Sequence, residues 1–217
     1  MSSPRAPRNT LTRERLLHGA LELADRGGLD KLTIRALAEH LGVKPMAIYH
    51  YIRGKDELLD AMVDAVFAAI ATPDARGDWR AELATRSRSM RKQLAVHPWA
   101  LTVLETRANP GPANLAGHEA VLETLRSAGF SVVAAGHAYA LLDAFVYGFA
   151  LQEAMLSQVG LEDDAAELAG SMDFSGAPRI AELAAHYAEA EDYPMRASFD
   201  VGLELLLDAL GRLREGR

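Results

Sequence analysis

Residues 32–55 constrain the fold of this chain more than any other stretch, because they place two short helical segments on either side of a glycine turn. Thr33 precedes the first segment and can cap its first turn with the side-chain hydroxyl. Gly42 ends that segment, since glycine readily adopts the left-handed backbone conformation. Pro45 suits the first position of a second helix. The apolar stripe of the first segment is Ile34, Leu37, Ala38 and Leu41. This pattern predicts a helix-turn-helix.

The second segment carries three ring-bearing side chains in a row, Tyr49, His50 and Tyr51. Three adjacent side chains cannot all face one core, so at least one must point into solvent. Exposed hydroxyl and imidazole groups suit phosphate oxygens and base edges. Lys55 then opens the next helix, where a cation beside free backbone N–H groups favours phosphate. The stretch therefore predicts a surface that binds nucleic acid.

Charge is distributed unevenly along the chain. Residues 1–55 hold ten Lys and Arg against five Asp and Glu, a net charge of +5, whereas the whole chain carries −7, so the remainder carries −12. A basic end on an acidic body is typical of a protein that presents one end to nucleic acid. The absence of cysteine excludes a disulfide framework and a thiolate metal site, and it favours a reducing cytoplasm. The first nine residues are polar and proline-bearing, which predicts a disordered basic arm rather than a signal peptide.

The region 11–70 resembles the DNA-binding domain of the tetracycline-repressor (TetR) family. The resemblance is specific because the turn, the aromatic pair and the Lys-acid-acid-Leu helix start occur together at fixed spacing. It is carried by Thr33, Arg35, Leu37-Ala38, Leu41-Gly42-Val43, Ile48-Tyr49, Tyr51 and Gly54-Lys55-Asp56-Glu57-Leu58. From the resemblance and the residue chemistry we predict that DNA is contacted by Thr33, Arg35, Lys44, Pro45, Met46, Ala47, Tyr49, His50, Tyr51 and Lys55.

The rest of the chain also shows helical periodicity, which predicts an all-α protein. Helices are expected at 58–70, 79–96, 99–105, 115–128, 131–157, 179–191 and 199–213, with an acidic loop at 160–178. We predict a disordered arm (1–9), a helix-turn-helix DNA-binding domain (10–55), a linker helix (56–71) and a ligand-binding and dimerisation domain (72–217). On helix 79–96 a solvated basic face is expected from Arg80, Arg86, Arg88 and Arg91.

The helix at 131–157 is long and apolar, with only His137 and Asp143 ionisable between residues 132 and 151. A membrane span is one interpretation, but an aspartate near its centre costs about 2.5–3.5 kcal/mol. No Lys or Arg flanks either end closely. We instead expect one side to pack in its own domain and another on a second subunit, with burial inside one chain as the alternative. The predicted homodimer interface comprises Gly136, Ala140, Ala144, Gly148, Leu203, Leu206, Leu207 and Leu210.

A small-molecule pocket is the remaining chemical prediction. No paired metal-ligand spacing, nucleophile elbow or phosphate loop is present in the sequence, so we predict no metal, no cofactor and no enzymatic activity. Asp143 is the sharpest candidate because a carboxylate on so apolar a helix needs a partner. The equal alternative to a ligand is a partner inside the chain, namely Arg107, Tyr139 or Tyr147. The predicted ligand-binding residues are Trp99, Val103, Leu104, Thr106, Arg107, His118, Leu122, Leu142, Asp143, Val146, Tyr147, Phe149 and Gln152.

Residues 79–157 also resemble the regulatory domain of tetracycline-binding members of the family, notably at Trp79, Thr106-Arg107 and Gly129-Phe130-Ser131. Those members carry a magnesium-ligating histidine three residues before the threonine, where this chain has Val103. They also carry a glutamate where this chain has Gln152. We therefore expect a different, apolar inducer.

These features together predict a homodimeric, ligand-responsive transcription regulator. We expect a repressor that binds a near-palindromic double-stranded operator. An activator of the same fold, a nonspecific DNA-binding protein and a sensor that has lost DNA binding are the alternatives.

Overall fold

The computed structural model describes residues 11–106, 111–158, 174, 176–188 and 194–214. Within these ranges the chain forms ten helices and no strand, which confirms the predicted all-α fold. Two compact units are present. The head unit comprises Met1–Ala69 and Val96–Ala116, and the body unit comprises Ile70–Ala95 and Gly117–Arg217. The predicted arm (1–9) and most of the acidic loop (160–178) lie outside the described residues.

The helices lie close to their predicted positions. Helix α5 matches its prediction, whereas α7 and α10 begin earlier than predicted. The earlier start of α7 has a local cause, since the carboxylate of Asp64 accepts a hydrogen bond from the Ala113 N–H at 2.7 Å and caps the first turn. The bounds are α1 (Arg13–Gly27), α2 (Ile34–Leu41), α3 (Pro45–Ile48), α4 (Lys55–Ala68), α5 (Trp79–Val96), α6 (Trp99–Thr106), α7 (Pro112–Ser127), α8 (Val132–Gln158), α9 (Pro178–Ala188) and α10 (Pro194–Arg214).

In the head unit α1 packs against both α2 and α4, and α4 packs against α6. Hydroxyl caps begin the first two helices, with Thr12 accepting from the Arg15 N–H and Thr33 accepting from the Ala36 N–H, both at 3.1 Å. The fully buried side chains at the centre are Leu16, Leu32, Leu37, Ile48, Leu58 and Met62. This small core fixes the angle between the two helices of the helix-turn-helix.

In the body unit α8 packs against α10 through three phenylalanine rings. Phe199 is fully buried and lies 5.2 Å from Phe145 and 5.3 Å from Phe149, measured between ring centroids. At Gly202 a Cβ atom would come within 2.8 Å of the Phe145 ring, so glycine allows the two helices to approach closely. Burial of these rings supplies the main apolar contact between α8 and α10.

The arginines of α5 form the solvated face predicted from the sequence only in part, since Arg88 is exposed and Arg80 is half-buried. Arg86 is buried, with only 7% of its surface exposed. The other three pair with acidic side chains of α8 and α10: Arg80 with Asp208 at 2.6 Å, Arg88 with Asp200 at 2.7 Å, and Arg91 with Glu153. The acidic body charge therefore neutralises these arginines within the chain.

By length and composition, helix α8 could cross a membrane over Val132–Ser157. Of an apolar 18-residue stretch within this span, 28% is buried. One such helix is weak support for a membrane span, because a core helix of a globular protein has the same character. Its exposed face contains the small residues Gly136, Ala140, Ala144 and Gly148. The described part of the chain leaves this face of α8 uncovered.

The α10 residues predicted for the dimer interface point elsewhere. Leu203, Leu207 and Leu210 are buried inside the chain, and Leu206 is half-buried. The exposed apolar residues of α10 are instead Val201, Leu205 and Ala209, which repeat every four residues. The sequence shows that α10 has apolar residues on more than one side, but it does not show which of these sides packs inside the chain.

Candidate DNA-binding surface and ligand site

The turn between α2 and α3 is held by hydrogen bonds that the sequence pattern anticipates. Gly42 has φ +67° and ψ 34°, the left-handed conformation that ends a helix. The Val43 N–H donates to the Ala38 carbonyl at 2.9 Å, and the Arg15 guanidinium donates to the Leu41 carbonyl at 2.9 Å. These bonds satisfy the last carbonyls of α2 and set the direction in which α3 leaves.

Helix α3 is a single turn anchored by one buried residue, Ile48. The other large side chains of α3 and of the two residues that follow it face solvent. Met46 is 70% exposed, Tyr49 is 48% exposed, and His50 is exposed beside them. Lys44 precedes the helix and is also exposed. We call Lys44, Met46, Tyr49 and His50 the recognition face. An apolar side chain, two aromatic rings and a cation are thus presented together on a rigid turn.

Two of the predicted DNA-binding residues already have partners within the head unit. The Tyr51 hydroxyl donates to the Leu11 carbonyl at 2.5 Å, and the Lys55 ammonium donates to the Leu29 carbonyl at 3.1 Å. The Glu57 carboxylate accepts from the Arg53 N–H at 2.8 Å, which places a negative charge beside the start of α4. Their DNA contacts stay predictions, and the structure gives each group a structural task as well.

The other predicted DNA-binding residues lie on α2 and at the start of α3. Arg35 and Pro45 are exposed, and Ala47 is half-buried. Thr33 is exposed, but its hydroxyl is engaged in capping α2. All of them belong to the head unit, so the structure brings the predicted set onto one small domain.

Helix α6 is fastened to α1 within the head unit by a shared carboxylate. The Oδ1 atom of Asp25 lies 2.7 Å from Nε1 of Trp99, which donates to it, and 2.7 Å from Nδ1 of His97. We call this arrangement the Asp25 latch. Trp99 and Val103 are buried and Leu104 is half-buried. The side chain of Thr106 and all of Arg107 lie outside the described residues.

The body unit gathers five polar side chains from three helices: Arg86 of α5, His118 of α7, and Tyr139, Asp143 and Tyr147 of α8. We call these five the polar cluster. Both ring nitrogens of His118 lie 3.1 Å from the Tyr139 hydroxyl, and Nε2 of His118 lies 3.9 Å from Asp143. Tyr139 also makes a side-chain hydrogen bond with Asp143. Asp143 therefore has partners within the chain, and one of them, Tyr139, is among the three that the sequence suggested.

Burial changes the acidity of every member of the polar cluster. Desolvation raises the pKa of Asp143 above its usual range and likewise raises the pKa values of Tyr139 and Tyr147. It lowers the pKa of His118 and of Arg86, with the Asp143 charge opposing the change in both. Perturbed groups of both charge types gathered in one place are characteristic of functional sites.

The remaining predicted ligand residues of the body unit have mixed positions. Leu142 and Val146 are buried, Leu122 is half-buried and Gln152 is exposed. Phe149 packs against Phe145 and Phe199. The aliphatic and aromatic members therefore serve core packing in this unit.

From the sequence, Arg86 is assigned to a solvated face and Tyr139 is named only as a possible partner of Asp143, although both carry a signal of their place in the polar cluster. Arg86 lies three residues after Leu83 and four before Met90, which places it on the apolar stripe of α5. Tyr139 precedes Asp143 by four residues, as Asp143 precedes Tyr147, so the three share one face of α8. In the described part of the chain no group of three or more His, Asp or Glu side chains could hold a metal ion.

Two family models match this chain. The description "Tetracyclin repressor-like, C-terminal domain" matches residues 72–213, and "Bacterial regulatory proteins, tetR family" matches residues 16–62. The first of these covers more than half of the chain, and the second contains α2, the turn and α3.

Curated relatives agree with this assignment. The chain is 33% identical over 202 residues to the tetracycline repressor protein class A from transposon 1721 of Escherichia coli, covering 92% of this chain and 90% of that protein. It is 37% identical over 148 residues to the HTH-type transcriptional repressor DrrR1 of Streptomyces coeruleorubidus. That match covers 67% of this chain and spans only about half of DrrR1, 55% of its length.

Solved structures show the same architecture. The TetR family protein ActR of Streptomyces coelicolor, in complex with actinorhodin, aligns with a TM-score of 0.72 and 28% identity, covering 93% of this chain and 97% of that one. Together with the capped helix-turn-helix and the matches above, these similarities show that the chain belongs to the TetR family of bacterial transcription regulators.

Proposed function

We propose that this protein is a ligand-responsive repressor that binds a near-palindromic operator as a homodimer and leaves it when a small molecule binds. The observation that carries the proposal is the recognition face, which is exposed on a helix too short to serve the core. The relatives named as repressors support the same assignment. We place the protein in the cytoplasm, where it would meet DNA, and we assign it no enzymatic activity.

For DNA binding, two α3 helices, one from each subunit, would enter successive major grooves about 34–36 Å apart. Lys44 would contact phosphate or a base edge, as would Arg35 on α2. Tyr49 and His50 would contact phosphates and bases, and Met46 would pack on a thymine methyl group. Because these side chains offer few paired donors to bases, electrostatic attraction would supply much of the affinity. The further proposed contacts are Thr33, Pro45, Ala47, Tyr51 and Lys55.

For dimerisation, the exposed face of α8 would pack against a second copy of the chain. Its small residues, Gly136, Ala140, Ala144 and Gly148, allow close approach of another helix. The exposed stripe of α10, formed by Val201, Leu205 and Ala209, would complete the interface. Among the described residues of the single chain nothing covers these two apolar faces, and a second subunit is the occupant that a palindromic operator requires. An Ala144→Arg variant should sediment as a monomer and lose operator binding.

For the inducer, the polar cluster of the body unit is the proposed binding site. ActR was solved with actinorhodin bound, and the class A relative is named for tetracycline. Val103 and Gln152 stand where tetracycline-binding members carry a histidine and a glutamate, so we propose an inducer other than tetracycline. Trp99, Val103 and Leu104 on α6 stay predicted ligand contacts.

Within the head unit, a change at α6 would be transmitted to α4 and α1, because α6 packs on α4 and is fastened to α1 by the Asp25 latch. A shift of α6 would move α4 and change the distance between the two recognition helices. The ligand can shift the equilibrium only by its difference in affinity for the two states. Equal separation of the heads in scattering experiments with and without inducer would contradict this coupling.

The function is tested by gel shift at several salt concentrations, using the DNA upstream of the protein's own gene and an unrelated fragment of equal length. A repressor should prefer the upstream fragment by about 10³-fold or more, and transcription from that fragment should fall when the protein is added. Equal affinity for both fragments would indicate nonspecific binding. A rise in transcription would indicate an activator, and no binding to either would indicate a sensor without DNA-binding activity.

A further inference from the structure

The Arg86 guanidinium is a buried cation with few partners. Its side chain is 7% exposed, and among the described residues its one hydrogen bond is from Nη1 to the Ala71 carbonyl, at 3.2 Å. No carboxylate in the described ranges lies within 4.0 Å of its nitrogens. A guanidinium has five N–H donors, and a buried charge is costly unless it is paired. Arg86 therefore retains N–H donors and a charge that the described residues do not pair, and none of its nitrogens is a fully enclosed atom without a partner.

The nearby carboxylate does not fill this role. Asp143 is engaged by the Tyr139 hydroxyl, and His118 lies 3.9 Å from its Oδ2 atom. Its charge reaches Arg86 only through space, as one of the groups that influence the Arg86 pKa, together with Tyr147 and Tyr139. These groups therefore act on the cation through space and not by contact.

The position of Arg86 is fixed by the backbone on two sides. Besides the bond to Ala71, α7 approaches the guanidinium at Gly117, where a Cβ atom would come within 2.7 Å of Nη2. A side chain at position 117 would therefore require the Arg86 guanidinium to shift. An arginine held in place before ligand binding loses little conformational entropy when it binds an anion.

The polar cluster remains within reach of a small molecule. The His118 and Asp143 side chains keep 25% and 26% of their surface exposed, whereas Arg86 is only 7% exposed. The rings of His118, Tyr139 and Tyr147 give the site aromatic surfaces. A ligand bound at this cluster would therefore meet flat rings and, at Arg86, a group that donates hydrogen bonds.

We infer that the inducer is a small aromatic acid whose carboxylate, or a comparably acidic oxygen, binds Arg86, while its ring contacts the aromatic members of the polar cluster. The inference rests on the proposed function, because it assigns a chemical class to the inducer proposed above. Charge-assisted hydrogen bonds between guanidinium and carboxylate are among the strongest that proteins make. The acid would supply the counterion that the described residues do not provide.

The test compares matched acids and amides on the full-length protein. The probes are 2-naphthoic acid with 2-naphthamide, and anthraquinone-2-carboxylic acid with its primary amide, and binding is measured by calorimetry at neutral pH. Within each pair the rings are identical, so the difference reports the acidic group. We expect the acid of at least one pair to bind at least tenfold more tightly than its amide. Equal affinities, or no binding by any probe, would overturn the inference.

Two variants locate the effect. Arg86→Met should remove the preference for the acid, whereas Lys92→Met, which removes an exposed cation from the same helix, should leave it unchanged. Circular dichroism reports whether each variant folds, and Arg86→Lys keeps the charge should Arg86→Met not fold; it should retain part of the preference. An acid preference that survives in folded Arg86→Met would contradict the assignment to Arg86.

The inference and the proposed function fail in different ways. If the protein binds its upstream DNA and is released by the amides as readily as by the acids, only the inference is wrong. If it shows no preference for that DNA with or without probes, the proposed function is wrong whatever the calorimetry shows.

Discussion

Removal of the Asp25 carboxylate should destabilise the head unit strongly, because one oxygen of Asp25 serves two ring nitrogens. In Asp25→Ala the indole N–H of Trp99, a side chain with 6% exposure, loses its acceptor. Leaving a buried donor unpaired costs about 1–3 kcal/mol, and a hydrogen bond to a charged group contributes about 1.5–3 kcal/mol. Because the Asp25 side chain keeps 26% exposure, solvent weakens both contacts, and each contributes free energy from the lower part of its range. We expect a loss of about 2–4 kcal/mol for both contacts together.

The assay is equilibrium unfolding in guanidinium chloride, followed by tryptophan fluorescence. The chain has two tryptophans, so the measurement uses a Trp79→Phe background in which Trp99 is the only reporter. Asp25→Asn keeps an acceptor for the indole and should lose about half as much as Asp25→Ala. Asp30→Ala, an exposed acid in the same unit, is the matched control. If Asp25→Ala unfolds within about 0.5 kcal/mol of that control, the latch does not hold α6.

Three further outcomes follow from single contacts. Tyr51→Phe leaves the Leu11 carbonyl without its donor and should lower the free energy of unfolding by about 1–2 kcal/mol, measured by urea denaturation; an unchanged midpoint would show that water replaces the hydroxyl. Gly42→Ala forces a side chain into the left-handed region and should cost about 1–2 kcal/mol in the same assay, whereas a stabilised variant would mean that the turn relaxes. Burial raises the pKa of Asp143, so the folded chain binds that proton more tightly than the unfolded chain, and the associated stability is present at acid pH and lost as pH rises through the raised pKa. Asp143→Asn should therefore flatten the decline in thermal stability on that side, and an unchanged pH profile would contradict the assignment.

The head unit was predictable because its signals are local. Thr33, Gly42 and Pro45 act within one or two turns of the backbone, so their identities define where α2 ends and α3 begins. The exposed aromatic pair at Tyr49 and His50 follows from the brevity of the helix. Tyr51 shows the limit of this reasoning, since its partner is the carbonyl of a residue forty positions earlier.

The body unit was less predictable because its contacts join distant parts of the sequence. Arg86 looked like one of several surface arginines, and only the packing of α7 at Gly117 shows that it is enclosed. Leu203 and Leu207 looked available to a partner, yet Phe145 and its neighbours define which side of α10 the chain covers. Helical periodicity identifies the buried stripe of an amphipathic helix. In a helix with apolar residues on all sides, it does not show which face packs inside the chain.

The recognition face is tested most directly by the affinity for the duplex that the wild-type protein selects from a random pool. Lys44→Ala and Tyr49→Ala should each weaken binding at least tenfold, and Lys44→Ala should reduce the salt dependence by the equivalent of about one phosphate contact. Lys92→Ala, which removes a cation from the body unit, should bind like the wild type. Wild-type affinity in both head variants, or an equal loss in Lys92→Ala, would contradict the assignment of α3 as the DNA-reading element.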